Sequence, residues 1–206
     1  MRNDEALIQE AEEAITAYLD EQLQRGAIDT GLFEKARQNV IRNLRSWLED
    51  LHIDVLSPHL KQGIRQAIED QKWPILTEVF VDEITFGTAG IRGKAAMTDD
   101  ELHRLNEEGL DAAILKGPNT LNNVVLLLKS AGVARYAANH GLLSIVIGYD
   151  SRVQGRAFAQ LITRLFLASG LKVYLFDEAC PYPEMTFAIP YLHADMGILI
   201  SASHND

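Results

Sequence analysis

The sequence predicts an α/β protein: a three-layer α/β/α domain with a mixed sheet, preceded by an α-helical N-terminal extension. Apolar residues recur at the period of amphipathic helices along the first part of the chain. Further on, short apolar runs rich in β-branched residues alternate with helical segments. Glycines follow several of the helical segments, as they do at helix ends. We therefore expect a helical extension over residues 1–78 and the α/β domain over residues 79–206.

Two apolar stripes predict the first helices of the extension. The members of the first stripe recur every four residues: Leu7, Ala11, Ile15, Leu19 and Leu23. Gly26 follows as a stop signal, and the second stripe runs over residues 33–51. A third helix is expected to start at Ser57-Pro58, because serine caps helices and proline suits the first helical position. We expect the stripes to pack against the chain's own core rather than to bind a partner.

The remainder alternates strands and helices. Three apolar runs predict buried strands: 142–149, 171–176 and 196–201. Helical segments precede and separate them: 121–139, 155–169 and 183–192. A short strand is expected over 80–86. Thr98 opens a capping box that starts a short helix. Thr120 is expected to cap the helix over 121–139, which Gly141 closes. Such an alternation gives a parallel or mixed sheet covered on both faces, with the loops after the strands meeting at its carboxyl edge.

The overall composition excludes several classes of protein. With 206 residues, 47% hydrophobic and 23% charged, the chain is globular rather than disordered. The net charge of −10 argues against nucleic acid and membrane surfaces as partners, because both require a basic face. The single cysteine, Cys180, excludes an intramolecular disulfide and favours a reducing compartment. Since the first residues do not resemble a signal peptide, we expect a cytoplasmic protein.

The stretch from Phe86 to Gly93, FGTAGIRG, is a candidate phosphate-binding loop. Its glycines let the backbone approach a ligand closely, and Thr88 and exposed N–H groups can bond phosphate oxygens. Arg92 adds a planar, permanently charged fork suited to phosphate. The stretch is neither a Walker A loop nor a dinucleotide-binding fingerprint. A plain glycine-rich turn with a solvated arginine is the alternative.

The last residues, ILISASHND, form a second candidate, because a buried strand opens there into a polar loop. Ser203 and His204 suggest a catalytic pair, yet adjacent side chains on an extended segment point to opposite faces. No G-x-S-x-G elbow occurs, so a hydrolase triad is disfavoured. His204 and Asp206 alone are too few ligands for a metal site. A polar surface turn remains the alternative.

The motifs FGTAGIRG, GYDSR and SASHND, in this order and with a long helix before GYDSR, resemble those of the phosphoglucomutase and phosphomannomutase (α-D-phosphohexomutase) superfamily. The resemblance covers roughly residues 80–206, the N-terminal domain of that superfamily. The motif FGTAG and the helical extension before it are most similar to the branch of phosphopentomutase and glucose-1,6-bisphosphate synthase. The implied activity moves phosphate between C1 and C6 of a hexose, or C1 and C5 of a pentose, through a phosphoserine and a sugar bisphosphate.

The resemblance also implies roles for single residues and for cofactors. Ser203 would carry the phosphoryl group and bind Mg²⁺ through it, and His204 would shape the same catalytic loop. The residues that would bind substrate or phosphate are Arg92, Thr88, Ser203, Asn205 and Arg152. Mg²⁺ and, as activator, glucose 1,6-bisphosphate are the implied cofactors, and a small phosphosugar is the implied partner. The oligomeric state is left open.

The chain departs from the family pattern in several places. Asp206 stands where proline is usual, and Pro181-Tyr182-Pro183 replaces a simpler lead-in. Family members are longer, and their Asp-rich Mg²⁺ loop, sugar-recognition loop, acid/base lysine and C-terminal phosphate-binding domain have no match here. The resemblance therefore implies a fragment that ends just after its phosphoserine loop and is inactive alone. A truncated, inactive paralogue acting as a protein-interaction module is the main alternative, and a serine-dependent phosphatase is a weaker one.

Overall fold

The computed structural model describes residues 4–87 and 90–201. The chain divides into two compact units, Met1–Val125 and Leu126–Asp206. The first unit is mainly helical, whereas the second contains a parallel sheet with helices. The α/β class with a helical N-terminal part is therefore confirmed. The expected boundary between residues 78 and 79 was drawn from sequence motifs and stays a prediction.

Helices make up most of the first unit. They are α1 (Asp4–Gln24), α2 (Thr30–Glu49), α3 (Leu51–Leu56), α4 (Leu60–Glu69), α5 (Trp73–Phe80) and α6 (Asp99–Glu108). A short 3₁₀ helix (Gly109–Asp111) follows α6, and a two-stranded antiparallel hairpin, β1 (Phe86–Gly87) and β2 (Gly90–Ile91), lies between α5 and α6. The predicted stripe of α1 is buried from Leu7 to Leu19, and Gly26 has the left-handed φ of 66° expected after a helix.

The predicted third helix begins two residues later than expected. Ser57 ends α3 rather than opening the next helix, because its backbone N–H donates to the carbonyl oxygen of Ile53 at 2.8 Å. Helix α4 then begins at Leu60, after His59, whose side chain makes no capping hydrogen bond. The expectation failed because the buried Ile53 supports a short helix immediately before the Ser-Pro pair.

The strand expected over 80–86 is also mostly wrong. Residues Leu76, Val79 and Phe80 are fully buried at helical spacing on α5, so the chain is still helical at Phe80. Of the expected range only Phe86 lies in a strand, as the first residue of β1. The apolar run that suggests a strand is a buried helix end, which periodicity alone does not distinguish over so few residues.

The predicted N-cap of α6 is confirmed, whereas the predicted N-cap of the next long helix is wrong. Thr98 caps α6 as predicted, since its hydroxyl oxygen accepts from the N–H of Glu101 at 3.2 Å. Helix α7 (Asn123–His140), by contrast, is capped by Asn122, whose side-chain oxygen accepts from the N–H of Val125 at 3.0 Å. The predicted cap, Thr120, instead bonds the backbone of Gly117 within a tight turn. The division between the two units falls within α7.

The second unit contains the sheet predicted from the three apolar runs. Its elements are β3 (Ser144–Tyr149), α8 (Gly155–Ala168), β4 (Lys172–Leu175), α9 (Tyr182–Tyr191) and β5 (Met196–Ile200). The strand order is β4-β3-β5, and both pairs are parallel, one of the two arrangements that the alternating pattern allows. Every residue of the central strand β3 is buried. Right-handed crossovers in this order place α8 and α9 on opposite faces, which gives the three layers.

A small core joins α9 to one face of the sheet. It consists of Val146, Cys180, Met185 and Ala188, all buried. Gly148, on the same face of β3, leaves no room for a side chain, because an added Cβ would lie 2.7 Å from the Cys180 sulfur. Burial raises the pKa of the Cys180 thiol.

Candidate functional site

The loops that follow the strands of the second unit meet at its carboxyl edge, as the sequence predicts. The N–H of Asp150, just after β3, donates to the carbonyl oxygen of Ile200 at the end of β5, at 3.0 Å. The N–H of Cys180 donates to the carbonyl oxygen of Tyr149 at 2.9 Å, and the Tyr149 hydroxyl donates to that of Asp177 at 2.9 Å. These three bonds fix the starts of the loops against one another.

Arg152 lies at this edge and is held by Asp150. The Nε and Nη2 atoms of Arg152 donate to the two carboxylate oxygens of Asp150, both at 2.8 Å, and the Arg152 backbone N–H donates to Oδ1 at 3.1 Å. The Arg152 side chain is 21% exposed, so the fork is anchored but within reach of a ligand. That Arg152 binds substrate or phosphate stays a prediction.

The serine segment leaves the sheet at the same edge. Ser201 follows β5 directly and is exposed. The predicted site residues Ser203, His204 and Asn205 lie outside the described residues, as does Thr88. Their predicted roles therefore stay predictions.

The glycine-rich stretch lies in the first unit and is a hairpin. Phe86 pairs with Ile91, and Gly87 pairs with Gly90, whose φ of 113° a residue with a side chain rarely adopts. Arg92 follows β2 and is exposed, with no hydrogen-bond or ion-pair partner in residues 4–87 and 90–201. The hairpin therefore presents a cation that the described protein does not neutralise.

One face of α2 holds the segment that leads into the hairpin. Side chains spaced four residues apart make three successive contacts. The Asn43 amide donates to the carbonyl oxygen of Phe80 at 2.8 Å, the Asn39 amide donates to that of Val81 at 3.1 Å, and the Lys35 ammonium contacts the Asp82 carboxylate at 2.7 Å. Residues three and four apart share a helix face, so these three side chains of α2 can reach the end of α5 and the two residues that follow it. We call these three contacts the α2 ladder.

The other side of the same segment is held by residues 117–121. The N–H of Ile84 donates to the carbonyl oxygen of Pro118 at 2.9 Å, and the N–H of Leu121 donates to that of Lys94 at 2.8 Å. At Gly93 an added Cβ would lie 2.5 Å from Ile84 Cδ1, so close packing requires this glycine. The hairpin thus stands on two supports, the α2 ladder and the 117–121 turn. Sequence analysis missed both, because the polar residues at positions 35, 39 and 43 indicate only a polar helix face and do not identify the distant segment that they bond.

An open groove of about 430 Å³ runs between α2 and the hairpin. Its lining includes Lys35, Asp82, Glu83, Gly87, Gly90 and Arg92. Two cations and two carboxylates therefore share a surface with the hairpin backbone, and a polar ligand of mixed character fits these groups.

Two buried ionisable residues bond the backbone of the chain that precedes the 117–121 turn. Lys116 is 2% exposed and donates from Nζ to the carbonyl oxygen of Leu110 at 2.6 Å. Burial lowers its pKa to about 8, although Asp111 and Glu108 favour the charged form. Glu101, also buried, accepts from the N–H groups of Met97 and Leu115.

The described residues contain no metal site or membrane span of their own. Within residues 4–87 and 90–201 no group of three or more His, Cys, Asp or Glu side chains could hold a metal ion. Over the same residues, no helix combines the length and the apolar character needed to cross a bilayer.

Comparison with known proteins connects the chain to one family. The family model described as "Phosphoglucomutase/phosphomannomutase, alpha/beta/alpha domain I" matches residues 104–206. The phosphoglucomutase of Staphylococcus epidermidis (strain RP62A) is 34% identical over 158 residues, which are 74% of this chain and 24% of that protein. That of Staphylococcus haemolyticus (strain JCSC1435) is 36% identical over 127 residues, 61% of this chain and 20% of the relative.

The phosphoglucomutase of Staphylococcus aureus (strain USA300) is 36% identical over 129 residues, which are 62% of this chain and 20% of that protein. The chain thus spans about a fifth to a quarter of the length of these relatives. No solved structure matches the chain significantly.

Proposed function

Since the chain belongs to the phosphoglucomutase/phosphomannomutase superfamily, we propose that it carries the phosphoserine part of a cytoplasmic phosphosugar mutase. The proposed reaction moves phosphate between C1 and C6 of a hexose, or C1 and C5 of a pentose. The observation that carries the proposal is the carboxyl edge of the sheet, where the end of β5 at Ile200 is bonded to Asp150, the residue that holds Arg152. Ligands of parallel α/β sheets bind at this edge.

The proposed chemistry is phosphoryl transfer through Ser203. A sugar hydroxyl oxygen forms a new bond to phosphorus while the bond between phosphorus and the Ser203 Oγ breaks, and the hydroxyl proton ends on the Ser203 Oγ. We propose that His204 shapes the loop that presents this serine. The resulting bisphosphate reorients and returns its other phosphate to Ser203. Such transfers depend mainly on positioning and on charge stabilisation.

Arginine and neutral donors would supply that stabilisation. Arg152 is already oriented by Asp150, and Arg92 has no partner in the described part of the chain, so both suit a phosphate that arrives with the substrate. We propose that Thr88 and Asn205 each donate a hydrogen bond to phosphate of the substrate.

Mg²⁺ is implied by the resemblance. The described residues do not assemble a metal site by themselves, so we assign no step to the ion. When bound, Mg²⁺ would offset the charge of the transferred phosphate.

The interaction-module alternative draws less support from the contacts. The α2 ladder uses one face of the N-terminal helices to hold the hairpin segment, and the apolar stripes of α1 and α2 are buried in the unit's own core. The helical part is thus built into the unit that presents Arg92.

The test is a phosphopeptide map of the complete gene product after incubation with glucose 1,6-bisphosphate and Mg²⁺. We expect phosphate on Ser203 and none on Ser201, which still lies at the strand end. Ser203→Ala should abolish labelling and Ser201→Ala should retain it. Phosphate on Ser201, or labelling that survives Ser203→Ala, would disprove the assignment, and hydrolysis of the bisphosphate without transfer to a sugar would favour a phosphatase.

A further inference from the structure

The groove beside the hairpin contains a cation that comes from the helical N-terminal part. Lys35 of α2 and Arg92 of the hairpin both line it, together with Asp82 and Glu83. The formal charges cancel, so the groove does not attract anions in general. A ligand must therefore place its negative groups directly against Lys35 and Arg92.

Lys35 is held in place yet has a donor to spare. Its Nζ lies 2.7 Å from each carboxylate oxygen of Asp82, and its side chain is 47% exposed. An ammonium group carries three N–H donors, and one carboxylate engages at most two of them. The remaining donor is available to a ligand in the groove.

The α2 ladder fixes where that donor stands. Asn39 and Asn43, one and two helical steps further along the same face, bond the backbone of the segment that ends in Asp82. The Lys35 ammonium is therefore positioned relative to the hairpin by the two neighbouring bonds of the α2 ladder.

We propose that Lys35 is a second phosphate-binding residue, which acts with Arg92 on an anionic ligand in this groove. The inference rests on the proposed function only in taking the ligand to be the phosphate of a phosphosugar. The family resemblance assigns Arg92 and assigns nothing in the helical part. A lysine ammonium binds phosphate as a point charge, so it complements the planar fork of an arginine.

A purely structural role for Lys35 makes a different prediction. If the Lys35–Asp82 contact serves only as the last member of the α2 ladder, its loss should resemble the loss of the Asn39 contact. Both would loosen the hairpin segment, and both would affect ligand binding to a similar extent.

The experiment is an NMR titration of the 206-residue chain with inorganic phosphate at constant ionic strength. It follows the amide signals of Gly87 and Gly90 and the Nε–H signal of Arg92, which report on the groove alone. Lys35→Ala should raise the Kd about fivefold, the upper range for an exposed charge contact. Asn39→Ala, the matched control on the same helix face, should change the Kd less than about twofold.

A second variant acts in the opposite direction. Asp82→Asn removes a negative charge and releases the Lys35 ammonium, so phosphate should bind more tightly. The inference is overturned if phosphate leaves the groove signals unmoved, if Lys35→Ala binds like the wild type, or if Asn39→Ala weakens binding equally. None of these outcomes involves Ser203, so they are independent of the phosphopeptide map.

Discussion

The carboxyl edge of the sheet and the glycine-rich hairpin present candidate site residues by different means. At the sheet edge, the loops are joined mainly by main-chain bonds, such as that from Asp150 to Ile200. The segment leading into the hairpin is held on one side by side chains of α2 that act over 37 to 47 positions of sequence. Main-chain bonds follow from strand register, whereas side-chain supports depend on particular residues. The hairpin should therefore be the more easily disturbed of the two.

The largest expected effect concerns Lys116, which directly precedes the 117–121 turn. Because its folded pKa of about 8 lies below the ordinary value of 10.5, the charged form weakens the fold below pH 8. That weakening is relieved as pH rises from 8 towards 10.5, since the unfolded chain then binds more protons than the folded one. The difference amounts to at most roughly 3 kcal/mol.

Lys116→Met should remove this rise. Urea unfolding at pH 7 to 10 should show the stability of the wild type increasing relative to that of the variant. Parallel curves for the two proteins would contradict the buried charge. Other groups titrate in both proteins, so the comparison isolates Lys116.

The next effect separates the two regions directly. Asn43→Ala removes the bond to the Phe80 carbonyl oxygen, a part-buried contact, and should lower the free energy of unfolding by about 1 to 2 kcal/mol. Amide exchange should become faster in the hairpin segment and stay unchanged in β3. The control is Gln38→Ala, an exposed residue of the same helix. Faster exchange in β3 as well would show that the two regions do not open separately.

The smallest expected effect concerns Asp195, at the end of the sheet opposite to its carboxyl edge. The Asp195 carboxylate accepts from the N–H groups of Leu143 and Ser144 and from the Ser144 hydroxyl, at 2.8 to 2.9 Å. The bond from Leu143 is the main cause of its lowered pKa, followed by that from Ser144. A lowered carboxyl pKa stabilises the fold above the ordinary value near 3.8, and the gain is lost as pH falls through the folded pKa.

Asp195→Asn should therefore be less stable than the wild type at pH 6, and the gap should narrow as pH falls below about 4. Thermal unfolding of both proteins at pH 6 and below about pH 4 measures this difference in stability. Ser144→Ala, which removes one of the three donors, should show a smaller gap. A gap that widens in acid would mean that the carboxylate does not act through its charge.

The sequence predicts the sheet better than the hairpin for the same physical reason. Buried strands reveal themselves by apolar runs, so β3, β4, β5 and their crossover helices were predicted within about two residues. The α2 ladder could not be predicted from any local window, because Asn39 and Asn43 owe their role to a partner segment far along the chain. The cap of α7 was misassigned since Thr120 and Asn122 are both good capping residues, and the turn at Gly117 takes the threonine.

The reactivity of Cys180 reports how often the carboxyl edge of the sheet opens. The thiol is 4% exposed, packs beneath Gly148, and its segment is tied to Tyr149 by a main-chain bond. A disulfide reagent can react with it only after the loop following β4 lifts away, and burial keeps its thiolate fraction low until then. The rate of thiol labelling therefore counts openings of the edge from which the serine segment departs. Because Cys180 is the only cysteine in the chain, a single colorimetric trace of its reaction with that reagent follows those openings.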